Sequence, residues 1–214
     1  MASEQERWVP AVGADDPPGV LEPQALDLAE RFQRGDPEAF AALSRPLLDA
    51  LYTLCLRVVG NEEEAEDIAQ EALIRALRNH RRFDPARSFR PWLLHIALNL
   101  CRDHLRTVWW SRVLPLGQAR PGLDLGPELR VMAADRDARV RRALATLPRK
   151  YREAVALFHL EDLGYAEMAA ITGAKIPALK QRVRRGLAML EEAVKRLYPE
   201  LLEDRRSDVP GDGP

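Results

Sequence analysis

The spacing of apolar residues predicts an all-α chain, and the pattern is clearest between Leu163 and Leu190. There it divides into two helices joined at Gly173, a residue whose backbone accepts the conformation of a sharp turn. The second helix opens with Pro177 in its first turn, where a missing N–H group costs nothing. Its apolar residues recur in steps of three and four and form one stripe: Leu179, Val183, Leu187, Leu190, Val194 and Leu197. The segment therefore predicts a helix-turn-helix.

The face opposite that stripe is almost purely cationic. A face rich in lysine and arginine is often only a solvated surface, but its place after a short helix and a glycine turn favours a recognition helix that enters the major groove of DNA. Residues 137–196 hold thirteen lysines and arginines against seven acids, a net charge of +6 in a chain whose total is -1. Such local positive charge is typical of a phosphate-binding surface. The polar candidates are Lys175, Lys180, Gln181, Arg182, Arg184 and Arg185.

A helical pattern also fills the front half of the chain from Gln24 onwards. Asp36 before Pro37 predicts an N-cap followed by a first-turn proline. One apolar stripe from Phe40 to Val58 predicts a single helix that Gly60 ends.

The next helix begins acidic and ends basic. Acids in the first turn and arginines in the last complement the helix macrodipole, which is one interpretation. The number of acids exceeds that need and also suits docking onto a basic partner, which is the other interpretation. The acids are Glu62, Glu63, Glu64, Glu66, Asp67 and Glu71.

A strongly basic stretch follows. From Arg75 to Arg112 there are nine arginines and two acids, a net charge of +7. Aromatic residues lie among the arginines, and this combination suits the binding of unstacked bases and their backbone. The helical period places Phe89 and Trp92 on an apolar stripe, so core packing is the preferred interpretation for those two rings.

Breaks in the apolar pattern divide the chain into two helical domains. Residues 1–23 form a proline-rich acidic tail that we expect to be disordered. Prolines and glycines interrupt every period in residues 108–134, which predicts a flexible linker. The two domains are therefore residues 24–107 and 135–200, and residues 201–214 form a second disordered tail.

Several classes of protein are disfavoured by the composition. No apolar run is long enough to cross a bilayer and the N-terminus is unlike a signal peptide, so we expect a cytoplasmic protein without membrane insertion. Cys55 and Cys101 lie among apolar residues and are predicted to be buried thiols, with a redox switch as the minor alternative. The histidines show no metal-ligand spacing, and neither a phosphate loop nor a nucleophile elbow occurs. We therefore expect no catalytic residue, no metal site and no cofactor.

Four segments in order resemble the extracytoplasmic-function (ECF) class of bacterial RNA polymerase sigma factors. GNEEEAEDIAQEALIRAL is similar to the acidic helix of the first sigma domain, and SFRPWLLHIALNLCRDHLR is similar to the helix that follows it. LPRKYREAVALFHLEDLGYAEMAAITG and KIPALKQRVRRG resemble the helix-turn-helix of the second domain. The resemblance covers residues 25–197.

The resemblance implies two partners, the RNA polymerase core and promoter DNA, and the family commonly has an anti-sigma factor. The residues that match the core-polymerase contact are Asp67, Gln70 and Glu71. The loop that reads the minus-ten element corresponds to residues 79–88, and the flanking asparagine of the family corresponds to Asn99. Its candidate contacts are Asn79, Arg82, Phe83, Arg87 and Ser88. The six polar candidates of the helix-turn-helix match the positions that read the minus-thirty-five element.

The match departs from the family pattern in a few positions. Leu77 stands where an aromatic residue is common, and Leu98 stands where a basic residue often precedes the asparagine. Pro177 and Ala178 replace the usual Gly-Thr of the recognition helix, and Gln181 replaces its serine. The promoter sequence therefore does not follow from the resemblance.

A stand-alone helix-turn-helix regulator of two domains is the competing hypothesis. It predicts specific binding to duplex DNA by the protein alone and no stable complex with core polymerase.

Overall fold

The computed structural model describes residues 23–113, 133–160 and 163–199 and is all-α in those ranges, as predicted. The front half contains α1 to α5 and the C-terminal half contains α6 to α9. Short 3-10 turns at Arg45–Leu47 and His80–Arg82 complete the regular structure of the described ranges. The helices are α1 Pro23–Gln33, α2 Pro37–Ser44, α3 Leu48–Val59, α4 Glu62–Arg78, α5 Phe89–Val113, α6 Ala133–Ala145, α7 Arg149–Phe158, α8 Tyr165–Thr172 and α9 Ile176–Leu197.

The local helix boundaries follow from capping residues. The Asp36 carboxylate accepts a hydrogen bond of 2.8 Å from the Glu38 N–H at the start of α2, and Gly60 ends α3 with φ of 85°. The single helix predicted from Phe40 to Val58 is wrong. A 3-10 turn at Arg45–Leu47 separates α2 from α3, because Pro46 has no N–H group to continue the α-helical hydrogen bonds.

The stretch Pro37–Val59 is apolar enough to resemble a membrane span, with a mean hydropathy of 1.3. Its inward side chains form the centre of the helical core, where Leu51, Leu54 and Val58 are fully buried. Cys55 lies among them, and the hydrogen bond between the Cys55 and Cys101 thiols together with burial raises the pKa of Cys101 on α5. Both cysteines are buried free thiols, as predicted.

A cluster of aromatic rings fixes the loop before α5. Phe32 on α1 lies 5.5 Å from Phe83, 5.2 Å from Phe89 and 5.8 Å from Trp92 between ring centroids. Edge-to-face and tilted pairs at these distances add to the stability given by burial alone. The predicted core positions of Phe89 and Trp92 are confirmed.

The helix-turn-helix is confirmed as well. Gly173 has φ of 73° and its N–H donates to the Ala169 carbonyl, which ends α8. Pro177 occupies the first turn of α9, and Leu179 and Val183 are buried on the inner face.

The two halves share one apolar core in addition to their own cores. Buried residues from Ala29 to Val183 form a continuous cluster in which α3 packs against α7 and α5 packs against α8. α3 also contacts α6. α5 continues to Val113 and α6 begins at Ala133, so the predicted linker at residues 108–134 overlaps both helices. Residues 114–132 of that linker lie outside the described ranges, as do the predicted tail at residues 201–214 and all but the last residue of the tail at 1–23.

At Gly186, α9 passes close to α7. A Cβ added there would lie 2.6 Å from Val155 Cγ2 and 3.1 Å from the Tyr151 carbonyl oxygen. We expect Gly186→Ala to lower the free energy of unfolding by about 1–3 kcal/mol, because overpacking outweighs the better helix propensity of alanine. Thermal unfolding measured by circular dichroism checks this, with Gly164→Ala as control because its added Cβ has no neighbour within 4 Å. A Gly186→Ala chain as stable as the wild type would contradict the tight crossing.

Candidate protein and nucleic-acid interfaces

The acidic end of α4 divides into paired and exposed carboxylates. Glu62 accepts from Arg141 of α6 at 3.0 Å, and Glu64 lies 3.0 Å from His104 Nε2 of α5. Asp67 is exposed, and its carboxylate has no ion pair with the described residues. Glu62 and Glu64 therefore connect α4 to α6 and α5, and Asp67 remains available to a partner.

The outward face of α4 combines polar and large apolar side chains. Asp67, Gln70 and Glu71 share this face with Ile74 and Leu77, which are 43% and 41% exposed. The buried face of the same helix is made mostly of alanines, at positions 65, 69, 72 and 76. Small residues inside let α4 approach its neighbours closely, and the large residues are left outside, where a partner could cover them.

The loop at residues 79–88 is held closely to the fold. The Asn79 side chain donates to the Arg75 carbonyl at 2.8 Å and so caps α4. Arg87 donates to Asp84 at 3.1 Å. Arg82 and Ser88 are exposed, whereas Phe83 is 1% exposed in the aromatic cluster. We therefore leave Phe83 out of the proposed contact surface.

The polar face of α5 carries three side chains bonded in series: His95, Asn99 and Arg102. His95 Nδ1 lies 2.8 Å from the Ile171 carbonyl of α8, and His95 Nε2 lies 2.9 Å from Asn99 Nδ2. A carbonyl only accepts, so the neutral tautomer with its proton on Nδ1 fits both contacts. Burial lowers the pKa of His95, with a smaller opposing effect of the Ile171 bond and a lowering effect of the Arg102 charge.

Arg102 connects α5 to α7. It donates to both carboxylate oxygens of Glu153, at 3.1 Å and 2.8 Å, and to Asn99 Oδ1 at 3.1 Å. The Glu153 side chain is 6% exposed, and Arg149 lies 3.4 Å from the same carboxylate. A two-pronged charged contact of this kind is strong and geometrically specific.

The outer face of α9 is exposed and basic as predicted. Arg185 hydrogen bonds to Tyr151, and this bond lowers the pKa of the phenol. Lys180 lies 5.7 Å from the centre of the Tyr165 ring. Within the described ranges, no carboxylate pairs with the six candidates of this face. Lys175, Lys180, Gln181, Arg184 and Arg185 are exposed, and Arg182 is half-buried.

The structure therefore separates the predicted residues into three groups. One group lies on α4, one lies on the loop and the polar face of α5, and one lies on α9. Sequence reasoning did not find Ile74, Leu77 and Glu153. Ile74 and Leu77 are large apolar residues on the outward face of α4, opposite its alanines, and their presence among polar residues was the available signal.

Comparison with known proteins gives two family matches. Residues 43–111 match Sigma-70 region 2, which spans α2 to α5, and residues 137–190 match Sigma-70, region 4, which spans α6 to α9. A curated relative, ECF RNA polymerase sigma factor SigW of Bacillus subtilis, is 33% identical over 178 residues, covering 78% of this chain and 95% of the relative.

Two solved structures are also similar. CnrH in complex with the cytosolic domain of CnrY is 26% identical with a TM-score of 0.64, covering 80% of this chain and 97% of CnrH. RpoE in complex with the anti-sigma factor NepR from Bartonella quintana is 24% identical with a TM-score of 0.58 and shares the fold, covering 72% of this chain and 98% of RpoE.

The lowered pKa of His95 predicts how stability depends on pH. The pKa lies below its ordinary 6.5, so the unfolded chain binds this proton first as the pH falls. The contribution of neutral His95 to the free energy of unfolding is complete above pH 6.5. It decreases as the pH falls from 6.5 towards the lowered pKa. Urea unfolding at pH 7.5 and 5.5 should show a smaller loss of stability in His95→Gln than in the wild type. Burial also lowers the pKa of His159, so some loss should remain in the variant. Equal losses in both chains would contradict the assignment.

Proposed function

The chain belongs to the ECF family of RNA polymerase sigma factors and directs promoter-specific transcription initiation, and on that premise we propose which surface meets each partner. The membership favours the sigma factor over a stand-alone regulator. It supports the proposal that the chain acts with core polymerase in the cytoplasm. We propose that the chain acts by binding alone, with the covalent chemistry of transcription left to the polymerase. An anti-sigma factor, which the RpoE structure contains, is a further class of partner.

The outward face of α4 is the proposed docking surface for core polymerase. Its exposed carboxylate at Asp67 and its exposed apolar side chains at Ile74 and Leu77 give it the charge and the apolar area that a protein interface needs. This combination on one helix face is the observation that carries the proposal. Gln70 and Glu71 lie on the same face.

The basic face of α9 is the proposed reader of the minus-thirty-five element. It follows a glycine turn, is exposed along two turns, and presents the side chains that pair with base edges in the major groove. Lysine and arginine contact guanine or phosphates, and Gln181 can pair with adenine.

The loop at residues 79–88 and the polar face of α5 are the proposed minus-ten surface. Arg82, Arg87, Ser88 and Asn99 would contact the separated strand there. Capture of an unstacked base offsets part of the energy of unpairing it.

Reversal of the charge at Asp67 tests the docking surface. We expect Asp67→Arg to weaken binding to core polymerase roughly tenfold, about 1.4 kcal/mol, because it opposes a basic partner. Affinity is measured by fluorescence anisotropy with purified core enzyme. Glu30→Arg is the matched control, since Glu30 is an exposed acid on α1 away from this face. Equal core affinity in the Asp67→Arg chain and the control would remove the docking role.

Truncation at Arg185 tests the recognition face. With the holoenzyme on duplex promoter DNA, Arg185→Ala should weaken binding and reduce the salt slope by about one ion, as a lost phosphate contact does. Lys195→Ala is the matched control, because Lys195 lies on the last turn of the same helix and pairs with Glu191. A salt slope unchanged from the wild type would show that α9 presents a different face to DNA.

A further inference from the structure

We propose that Arg102 is a phosphate-binding residue of the minus-ten surface, and that Glu153 occupies its binding site in the free chain as an internal substitute for the DNA phosphate. The inference rests on the proposed function of the α5 face and adds a residue and a form of regulation to it. The free chain would then hold the C-terminal half over the strand-binding face until polymerase and promoter displace it.

The Arg102–Glu153 contact has the geometry of an arginine fork on an anion. An arginine fork binds a carboxylate and a phosphodiester with the same two-pronged geometry. Both carboxylate oxygens of Glu153 accept hydrogen bonds from Arg102. The guanidinium fork is therefore not available to a phosphate while α7 is docked. A promoter strand and Glu153 would therefore compete for one guanidinium group.

Asn99 lies beside Arg102 on α5, and the proposed function assigns it to the promoter strand. Its Oδ1 accepts from Arg102 and its Nδ2 bonds to His95, whose other ring nitrogen contacts the Ile171 carbonyl of α8. Both polar atoms of the amide are thus engaged within the chain. The two contacts with the C-terminal half, at Glu153 and Ile171, tie up all three polar groups of this face.

Other hydrogen bonds and ion pairs also hold the two halves together. Arg57 of α3 donates to the His159 carbonyl at 3.1 Å, and Arg152 of α7 donates to the Val58 carbonyl at 2.9 Å. The contact between Arg141 and Glu62 lies at the start of α4, five residues before Asp67. Polymerase docked on α4 would therefore lie next to this contact between the two halves. Docking would then be coupled to separation of the halves.

The closed arrangement would block the strand-binding face of α5 and leave the duplex-binding face of α9 open. The basic face of α9 remains exposed while the polar face of α5 is engaged. The free chain should thus hold duplex DNA through α9 and bind single-stranded DNA poorly.

Substitution of Glu153 tests the proposal in the full-length chain. The probe is a fluorescein-labelled mixed-sequence DNA single strand of twelve nucleotides, and a mixed-sequence duplex is the second probe. We expect Glu153→Gln to raise single-strand affinity at least fivefold and to steepen its salt slope by about one ion, since Arg102 becomes available to a phosphate. Duplex affinity should stay within twofold. In the double variant Glu153→Gln/Arg102→Ala, the gain should disappear.

Two further variants keep the test independent of local damage at α7. Arg57→Ala removes a contact between the halves without touching α5, and it should raise single-strand affinity in the same direction. Glu192→Gln, an exposed acid at the end of α9, is the control and should leave affinity unchanged. Circular dichroism checks that each chain is folded, and small-angle scattering should show a larger radius of gyration in Glu153→Gln and Arg57→Ala.

The outcomes separate this proposal from the proposed function. If Glu153→Gln and Arg57→Ala expand the chain and single-strand affinity stays at the wild-type value, Glu153 does not occupy a strand site and the inference is overturned. The inference is also overturned if the double variant Glu153→Gln/Arg102→Ala keeps the raised single-strand affinity of Glu153→Gln. Run-off transcription with core polymerase and the wild-type chain reports separately on the function, because loss of promoter-dependent transcripts there would overturn the function itself.

Discussion

The buried ion pair between Arg102 and Glu153 is the contact on which the arrangement of the two halves depends. A carboxylate that is 6% exposed is costly unless a cation and hydrogen bonds compensate for the lost water, and Arg102 supplies both from the other half of the chain. Removing one partner of such a pair costs far more than the pair contributes, because the other charge is left buried. The pair therefore specifies where α7, which packs against α3, stands relative to α5 more than it adds to stability.

The distribution of ion pairs explains how one nearly neutral chain can present one acidic surface and one basic surface. Glu62 pairs with Arg141 and Glu64 contacts His104, while Asp67 faces solvent on α4. On the C-terminal half, the six candidates on the outer face of α9 have no ion pair with a carboxylate of the described ranges, whereas Arg149 and Arg152 turn towards the interface between the halves. Formal net charge hides this separation, because the acidic and basic excesses cancel over the whole chain.

Local signals in the sequence predicted local structure well. The cap at Asp36, the helix end at Gly60 and the turn at Gly173 each depend on one residue and its immediate neighbours, and each is confirmed. The break at Pro46 went unpredicted because the apolar stripe continues across it in register. Gly186 was missed because its role is set by Val155, which lies on another helix. The resemblance to the family assigned Phe83 to the minus-ten loop, and the structure places its ring in the aromatic cluster, 1% exposed.

The contact between the halves is the part that no pattern in the sequence could predict. The lone acid of α7 was visible in the sequence, but its partner is 51 residues away in the chain, and nothing in either helix encodes that pairing. The interface is also made of groups with a second use: an arginine, an asparagine and a histidine that suit nucleic acid satisfy one another when α7 and α8 are docked. The docked state and the DNA-bound state would use the same polar atoms of α5. These atoms would therefore have hydrogen-bond partners in both states. The chain can then exchange one state for the other without leaving a buried polar group unpaired, and the balance between them is set by what polymerase contributes at α4.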